Sequence, residues 1–434
     1  MRSYRETVQV GILLVGTACV AQAQSSVENP VNKPLLNTGV TGSIDASGLD
    51  DPQYVLSFVP VQRLMLDATQ HPLTKAEVER AVAGTPVSLN QLLQLELLRP
   101  EGELYRLNYL VLTVEDQQTM YRTCARYGRS LADAFRAHQA EFDNLAKKYP
   151  NAALRPQLMF GLIAGVSLDW RGLDLTTELG YRIQPPRHAR GGAYLIHSRE
   201  AGADLDLTGL YLDSETAPGP KMSFSTFGDG ASMPRLQGLP DALEEGLEKA
   251  MEDWQSLPDV YAALRSEYVT LLLLAIDDAG QVMNAVSSGG DTDTALAKAI
   301  PVSEDRRKAS LGLLVATGYL REIEHRYVVG VPVLTAGDKS MVDATLKLSR
   351  EIMTAWLRAN YPAMEKELSG LSPMRNGLPF SLAFSEAWHY TFGFASKSLA
   401  ESGFYANPRA KGNRYEGYVP LVWASSLIKG PGSQ

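Results

Sequence analysis

Gly191–Leu212 reads GGAYLIHSREAGADLDLTGLYL. An apolar run ends on His197, a short polar turn follows, and the chain re-emerges with the alternation of a strand. In that strand Asp204, Asp206 and Thr208 would face one way and Leu205 and Leu207 the other. A histidine at one strand end and carboxylates just past a turn can converge on one point. Such a set suits a divalent ion, most often zinc. Far downstream, Ser385–Phe394 (SEAWHYTFGF) adds Glu386 and His389. Two histidines, a carboxylate and a spare glutamate make up the inventory of a catalytic zinc site with one open position.

HSREAGADLDLTGLYLDSET from His197, followed by EAWHYTFG from Glu386, is similar to the zinc D-alanyl-D-alanine dipeptidases and carboxypeptidases of the VanX/VanY type. These share a fold with the penicillin-insensitive murein endopeptidases. The shared pattern is H-x6-D with a later E-x-W-H. The resemblance implies His197, Asp204 and His389 as zinc ligands and Glu386 as general base, with Arg182 of Gly180-Tyr181-Arg182 as the strand arginine. Asp206 can take the place of Asp204, as in the endopeptidase relatives, and Arg187 and Arg199 are alternative arginines. The chain departs from the pattern at Glu200, where the family has glycine, and at Leu195, where it has serine. The stretch from Asp204 to Glu386 is also long for the family and requires a helical insertion over about 239–363.

The chain of 434 residues carries a net charge of −8 with 45% hydrophobic residues. That composition can build a packed core and disfavours a nucleic-acid partner held through its phosphates. Arg2 and Arg5, an apolar run from Val8 to Val20 and Ala21-Gln22-Ala23 form a secretory signal pattern, with cleavage expected before Gln24. A periplasmic or secreted location follows, lipid anchoring at Cys19 being the alternative. The apolar run is too short for a comfortable membrane span. Cleavage leaves Cys124 as the single cysteine, read as a small core residue.

Residues 24–53 read as a linker and 54–150 as a helical module resembling a winged helix-turn-helix. Thr74 with Glu77, and Ser88 with Gln91, open two helices, and Pro100-Glu101-Gly102 turns into the alternating strand Tyr105–Tyr109. In an exported acidic chain such a module is a protein-contact unit rather than a DNA reader. A long helix is expected from Val114 to Tyr149, strands at Leu158–Val166 and Thr177–Ile183, and a strand or helix core at Val269–Ile276. Asp277-Asp278-Ala279-Gly280 suits a hairpin turn. Further helices are expected at Ser303–Glu324 and Ser340–Asn360, the latter stopping before Pro362. No repeat at a fixed period stands out.

H-E-x-x-H, Walker A and G-x-S-x-G patterns are all missing from the sequence. The expectation is an exported α+β protein with a small antiparallel-sheet zinc peptidase core at 151–434. It would hydrolyse an amide bond in peptidoglycan stem peptides or other D-amino-acid peptides, with muropeptides as partners. The alternative, from another class, is a periplasmic binding or scaffold protein with the same fold and no catalysis.

Overall fold

The computed structural model describes residues 34–188, 191–229, 274–411 and 417–428. The signal pattern, Cys19 and the first part of the expected helical insertion, residues 239–273, lie outside the described residues. The fold is mixed α and β, with small sheets among helices. No described helix is long and apolar enough to cross a membrane. Two compact units are each assembled from separated stretches. The first comprises Met1–Ala132, Gly172–Leu207 and Met353–Ala395, and the second Asp133–Arg171, Thr208–Ile352 and Ser396–Gln434.

The first unit starts with β1 (Leu36–Ser43), inside the stretch expected to be linker. Gln62 anchors its start: its side-chain oxygen accepts from the Leu35 and Leu36 amides at 2.7 and 3.2 Å, and its NH2 donates to the Leu56 carbonyl. Helix α1 (Val59–Gln70) buries Val61, Leu64, Met65 and Ala68, the i, i+3, i+4, i+7 stripe of an amphipathic helix. After β2 (Leu73–Thr74) comes α2 (Lys75–Val82), opened by the expected capping box of Thr74 and Glu77. Ser88 caps α3 (Leu89–Gln94), and the hairpin of β3 (Leu98–Glu101) and β4 (Leu104–Leu107) follows. β4 sits between β2 and β3, antiparallel to both.

A second sheet carries the residues of most interest. β5 (Leu110–Leu112) runs parallel to β6 (Ala193–Glu200), and β1 runs antiparallel along the other edge of β6. Between β5 and β6 the chain forms α4 (Val114–Arg136), which runs straight through Gly128. A Cβ at Gly128 would fall 2.5 Å from the Thr391 carbonyl oxygen, so the glycine allows α4 to approach a later helix, α8 (Phe380–Glu401). Along α8, Phe380, Phe384, Trp388 and Phe392 recur every fourth residue and pack ring on ring, with Trp388 against Gly172.

The second unit holds a four-stranded sheet in the order β11-β12-β8-β7. Its strands are β7 (Asp213–Ala217), β8 (Met222–Gly228), β11 (Val333–Leu334) and β12 (Tyr418–Ala424). The hairpin β9 (Leu320–Ile323) and β10 (Arg326–Val329) precedes β11. Helices α5 (Asp293–Ala299) and α6 (Glu304–Ala316) lead into that hairpin, and α7 (Lys339–Leu368) follows it. The core gathers Met222, Phe224, Met283, Leu314, Tyr319 and Val422.

Several expected elements differ. Leu158–Val166 is helical, an α-turn at Arg155–Phe160 running into a π-helix at Gly161–Arg171. This run is buried on every side, and such a run has no period with which to distinguish strand from helix. Thr177–Ile183 is a helix end: Gly180 takes φ 73° and the Tyr181 amide donates to the Thr176 carbonyl. Asp277–Gly280 lies inside a helix rather than a turn. α7 continues through Pro362. Asp204–Leu207 forms no strand, because β6 ends at Glu200 and the chain turns at Gly202 with φ 95°.

Candidate functional site

The first unit buries a group of ionisable side chains between β6 and α8. Tyr194, Ile196 and Ser198 on β6 are buried, while His197 and Arg199 alternate to the opposite face. That shared face is what makes Arg199 part of the group. His197 Nε2 lies 3.5 Å from Glu386 Oε1, and Arg199 Nη2 lies 2.5 Å from Glu386 Oε2. Glu386 is 4% exposed. One turn along α8, His389 turns its ring back on the helix and places Nδ1 2.7 Å from the Ser385 carbonyl oxygen. A carbonyl only accepts, so Nδ1 carries the proton and the lone pair of the neutral ring is on Nε2.

Strand pairing makes room for the His197 ring. Gly39 of β1 is the residue opposite His197. A Cβ there would lie 2.3 Å from His197 Nε2, so the imidazole occupies space that only glycine leaves open.

The electrostatics follow from burial. Burial pushes the His197 and His389 pKa values below the usual histidine range, against the pull of Glu386. Burial alone would raise the Glu386 pKa. Arg199 first, then the two histidines, reverse that and hold the carboxyl down at about 2. With both imidazoles neutral near pH 7, Arg199 is the fixed cation that keeps Glu386 ionised. Arg182 is half-buried and caps a helix end, donating through Nη1 to the Leu173 carbonyl at 3.2 Å, and its charge also disfavours the imidazolium of His389.

Three of the expected site residues therefore meet: His197, Glu386 and His389. Asp204 and Asp206 do not join them on a strand face. Both are exposed, and the backbone carbonyl of Asp206 accepts from the Tyr121 hydroxyl at 2.7 Å. Among the described residues no group of three or more His, Cys, Asp or Glu side chains is placed to hold a metal ion. Both oxygens of Glu386 already face cationic or N–H-bearing partners. The side chains that meet are two histidines and a glutamate, without the aspartate of the zinc set that the resemblance implies. Arg187 is exposed. Of the arginines expected, Arg199 is the one that pairs with Glu386, and its signal in the sequence was its place two residues after His197 on one strand. Gly39, far away in the chain, had none.

No protein-family model, curated protein or solved structure matches the chain.

Proposed function

We propose that the chain is an exported binding or scaffold protein whose polar cluster of His197, Arg199, Glu386 and His389 receives a ligand without cleaving it. The ligand class is the peptidoglycan stem peptide or a related D-amino-acid peptide. The observation that carries this reading is the Arg199–Glu386 ion pair. A general base must exchange a proton near the working pH, and a carboxyl held at about 2 is a poor one. The exposure of Asp204 and Asp206 points the same way.

A second reading, zinc-dependent hydrolysis of an amide bond in the same peptides, is favoured by one observation. His197 and Glu386, from distant parts of the sequence, stand 3.5 Å apart. Metal content of the purified chain separates the two readings, with wild type and His389→Ala side by side and a synthetic stem pentapeptide in the assay. Peptide binding with neither cleavage nor stoichiometric zinc is the expected result. About one zinc per chain, lost in the variant together with cleavage, would overturn the scaffold reading.

We further propose that the α1-β2-α2-α3-β3-β4 segment is a winged-helix-like module, a reading that its element order and the central place of β4 in its sheet support. We assign it a protein-contact role, since an acidic chain lacks the phosphate-binding charge of a DNA reader.

A further inference from the structure

The hairpin of the first unit returns in the second. β3 and β4 correspond to β9 and β10, each residue 222 positions on (98 to 320, 104 to 326). At that shift Leu98-Arg99, Tyr105 and Val111-Leu112-Thr113 recur as Leu320-Arg321, Tyr327 and Val333-Leu334-Thr335. Irregular features recur too. Glu96 and Gly318 both take positive φ, as do Gly102 and Glu324. The Asn108 amide donates to the Leu97 carbonyl as the Gly330 amide does to that of Tyr319. Thr113 donates through its amide and hydroxyl to Asp116, and Thr335 does the same to Asp338. Such coincidences of turn and cap geometry do not arise from composition.

The sheets extend the correspondence. Gly42 on β1, at φ 106°, pairs with Tyr194, and Gly228 on β8, at φ 150°, pairs with Tyr418. Val111 pairs in parallel with Ser198 as Val333 does with Val422. Both registers set β6 and β12 224 positions apart (194 to 418, 198 to 422). The helical runs match at their ends: Gly180 and Gly403 sit at φ 73° and 76° and bond back to Thr177 and Ala400.

At these shifts His197 and Arg199 correspond to Leu421 and Trp423, and Glu386 and His389 to Ile163 and Val166. All four counterparts are apolar and buried. Leu421 packs at Gly161, where a Cβ would stand 3.1 Å from Leu421 Cδ2, and Trp423 meets Trp170 edge-on at 5.9 Å.

We propose that the chain is an internal duplication in which one of two equivalent positions has been given over to a polar ligand site that folding does not need. The site is the one assigned above, and the inference rests on that reading for the ligand alone. The second unit carries buried apolar side chains at all four counterpart positions. A buried ion pair exchanged whole for apolar side chains is often neutral or stabilising, whereas loss of one partner is costly. A structural ion pair would have no reason to follow the apolar counterpart so closely.

The test compares wild type, Glu386→Ile alone, and the set His197→Leu, Arg199→Leu, Glu386→Ile, His389→Val, by urea unfolding and by calorimetric binding of the stem pentapeptide. The single variant is expected to unfold at lower urea than wild type, and the fourfold variant to recover to the wild-type midpoint or above while losing the peptide. A fourfold variant that fails to fold, or unfolds no later than Glu386→Ile, would overturn the inference whatever the peptide does. A folded fourfold variant that binds peptide like wild type, or a wild type that binds none, would leave the duplication standing and end the peptide assignment instead.

Discussion

Gly39 and His197 face each other across β1 and β6 so closely that a single methyl group on Gly39 would stand 2.3 Å from the histidine Nε2. The imidazole is boxed in by backbone on that side and by Glu386 on the other. Gly39→Ala should therefore displace the ring rather than the strand. Overpacking of this kind costs roughly 1–3 kcal/mol. Urea unfolding reads the loss, and the His197 ring proton resonances should move while those of exposed His325 stay. An unchanged His197 spectrum would show that the slot is looser than the geometry indicates.

Glu386 is the group whose removal leaves most behind. Glu386→Leu takes the carboxylate away from the Arg199 guanidinium, whose side chain is 28% exposed. Breaking a buried pair from one side costs on the order of 3–5 kcal/mol, and the partial exposure of Arg199 places this case toward the lower end. Arg199→Leu in the same background should return most of the loss, the coupling being read by a double-mutant cycle.

The cluster also sets an acid response. His197 and His389 have folded pKa values below their ordinary 6.5, so the folded chain binds fewer protons there than the unfolded chain. Their contribution is complete above that value and is lost as pH falls below it. Glu386, lowered from 4.5 to about 2, adds a second loss between those two pH values. Stability should fall in two stages on acidification from pH 7. In the fourfold apolar variant both stages should be missing from the unfolding curves.

Asp169 in the second unit gives the opposite sign. Burial raises its carboxyl from 3.8 to about 7, with a bond from Ser214 opposing the shift. Its favourable state is the protonated one, so this residue's contribution is present at low pH and lost as pH rises through about 7. Asp169→Asn removes that penalty and should stabilise the chain by up to about 4 kcal/mol well above pH 7, with little change at pH 3, below the unfolded value of 3.8. Equal effects at both pH values would mean that the carboxyl titrates normally.

What the sequence disclosed depended on how local the cause was. The caps at Thr74 and Ser88, the hairpin after Pro100 and the helix starts near Ser303 and Ser340 rest on neighbouring residues and formed as read. The helix after Ser303, however, stops at Ala316 with Leu320–Ile323 a strand, and the helix after Ser340 runs on to Leu368. The meeting of His197 with Glu386 and His389 was legible through the spacing of two motifs. Arg199 needed only the alternation of a strand, but the strand had to be placed through residue 199 rather than stopped at 197. The run at Leu158–Val166 misled because burial on all sides erases the polar face that reveals a helix. Asp204 and Asp206 alternate with apolar residues as a strand would, yet among the described residues no strand pairs with this stretch. The duplication was hidden because most matched positions share only size and polarity, and because the shift itself changes from 222 to 224 along the chain.

The helical runs belong to opposite units: Gly161–Arg171 lies in the second, and the start of α8 through Ala395 lies in the first. A chain that emerges from a ribosome or a membrane pore N-terminus first has therefore made β1, β5 and β6 long before the helix that covers His197 arrives. The face of that sheet stays wet until residues 380–395 have followed, and a product cut short before Phe380 would present it permanently to chaperones and proteases. Completion of the first unit thus waits on the synthesis of residues 380–395.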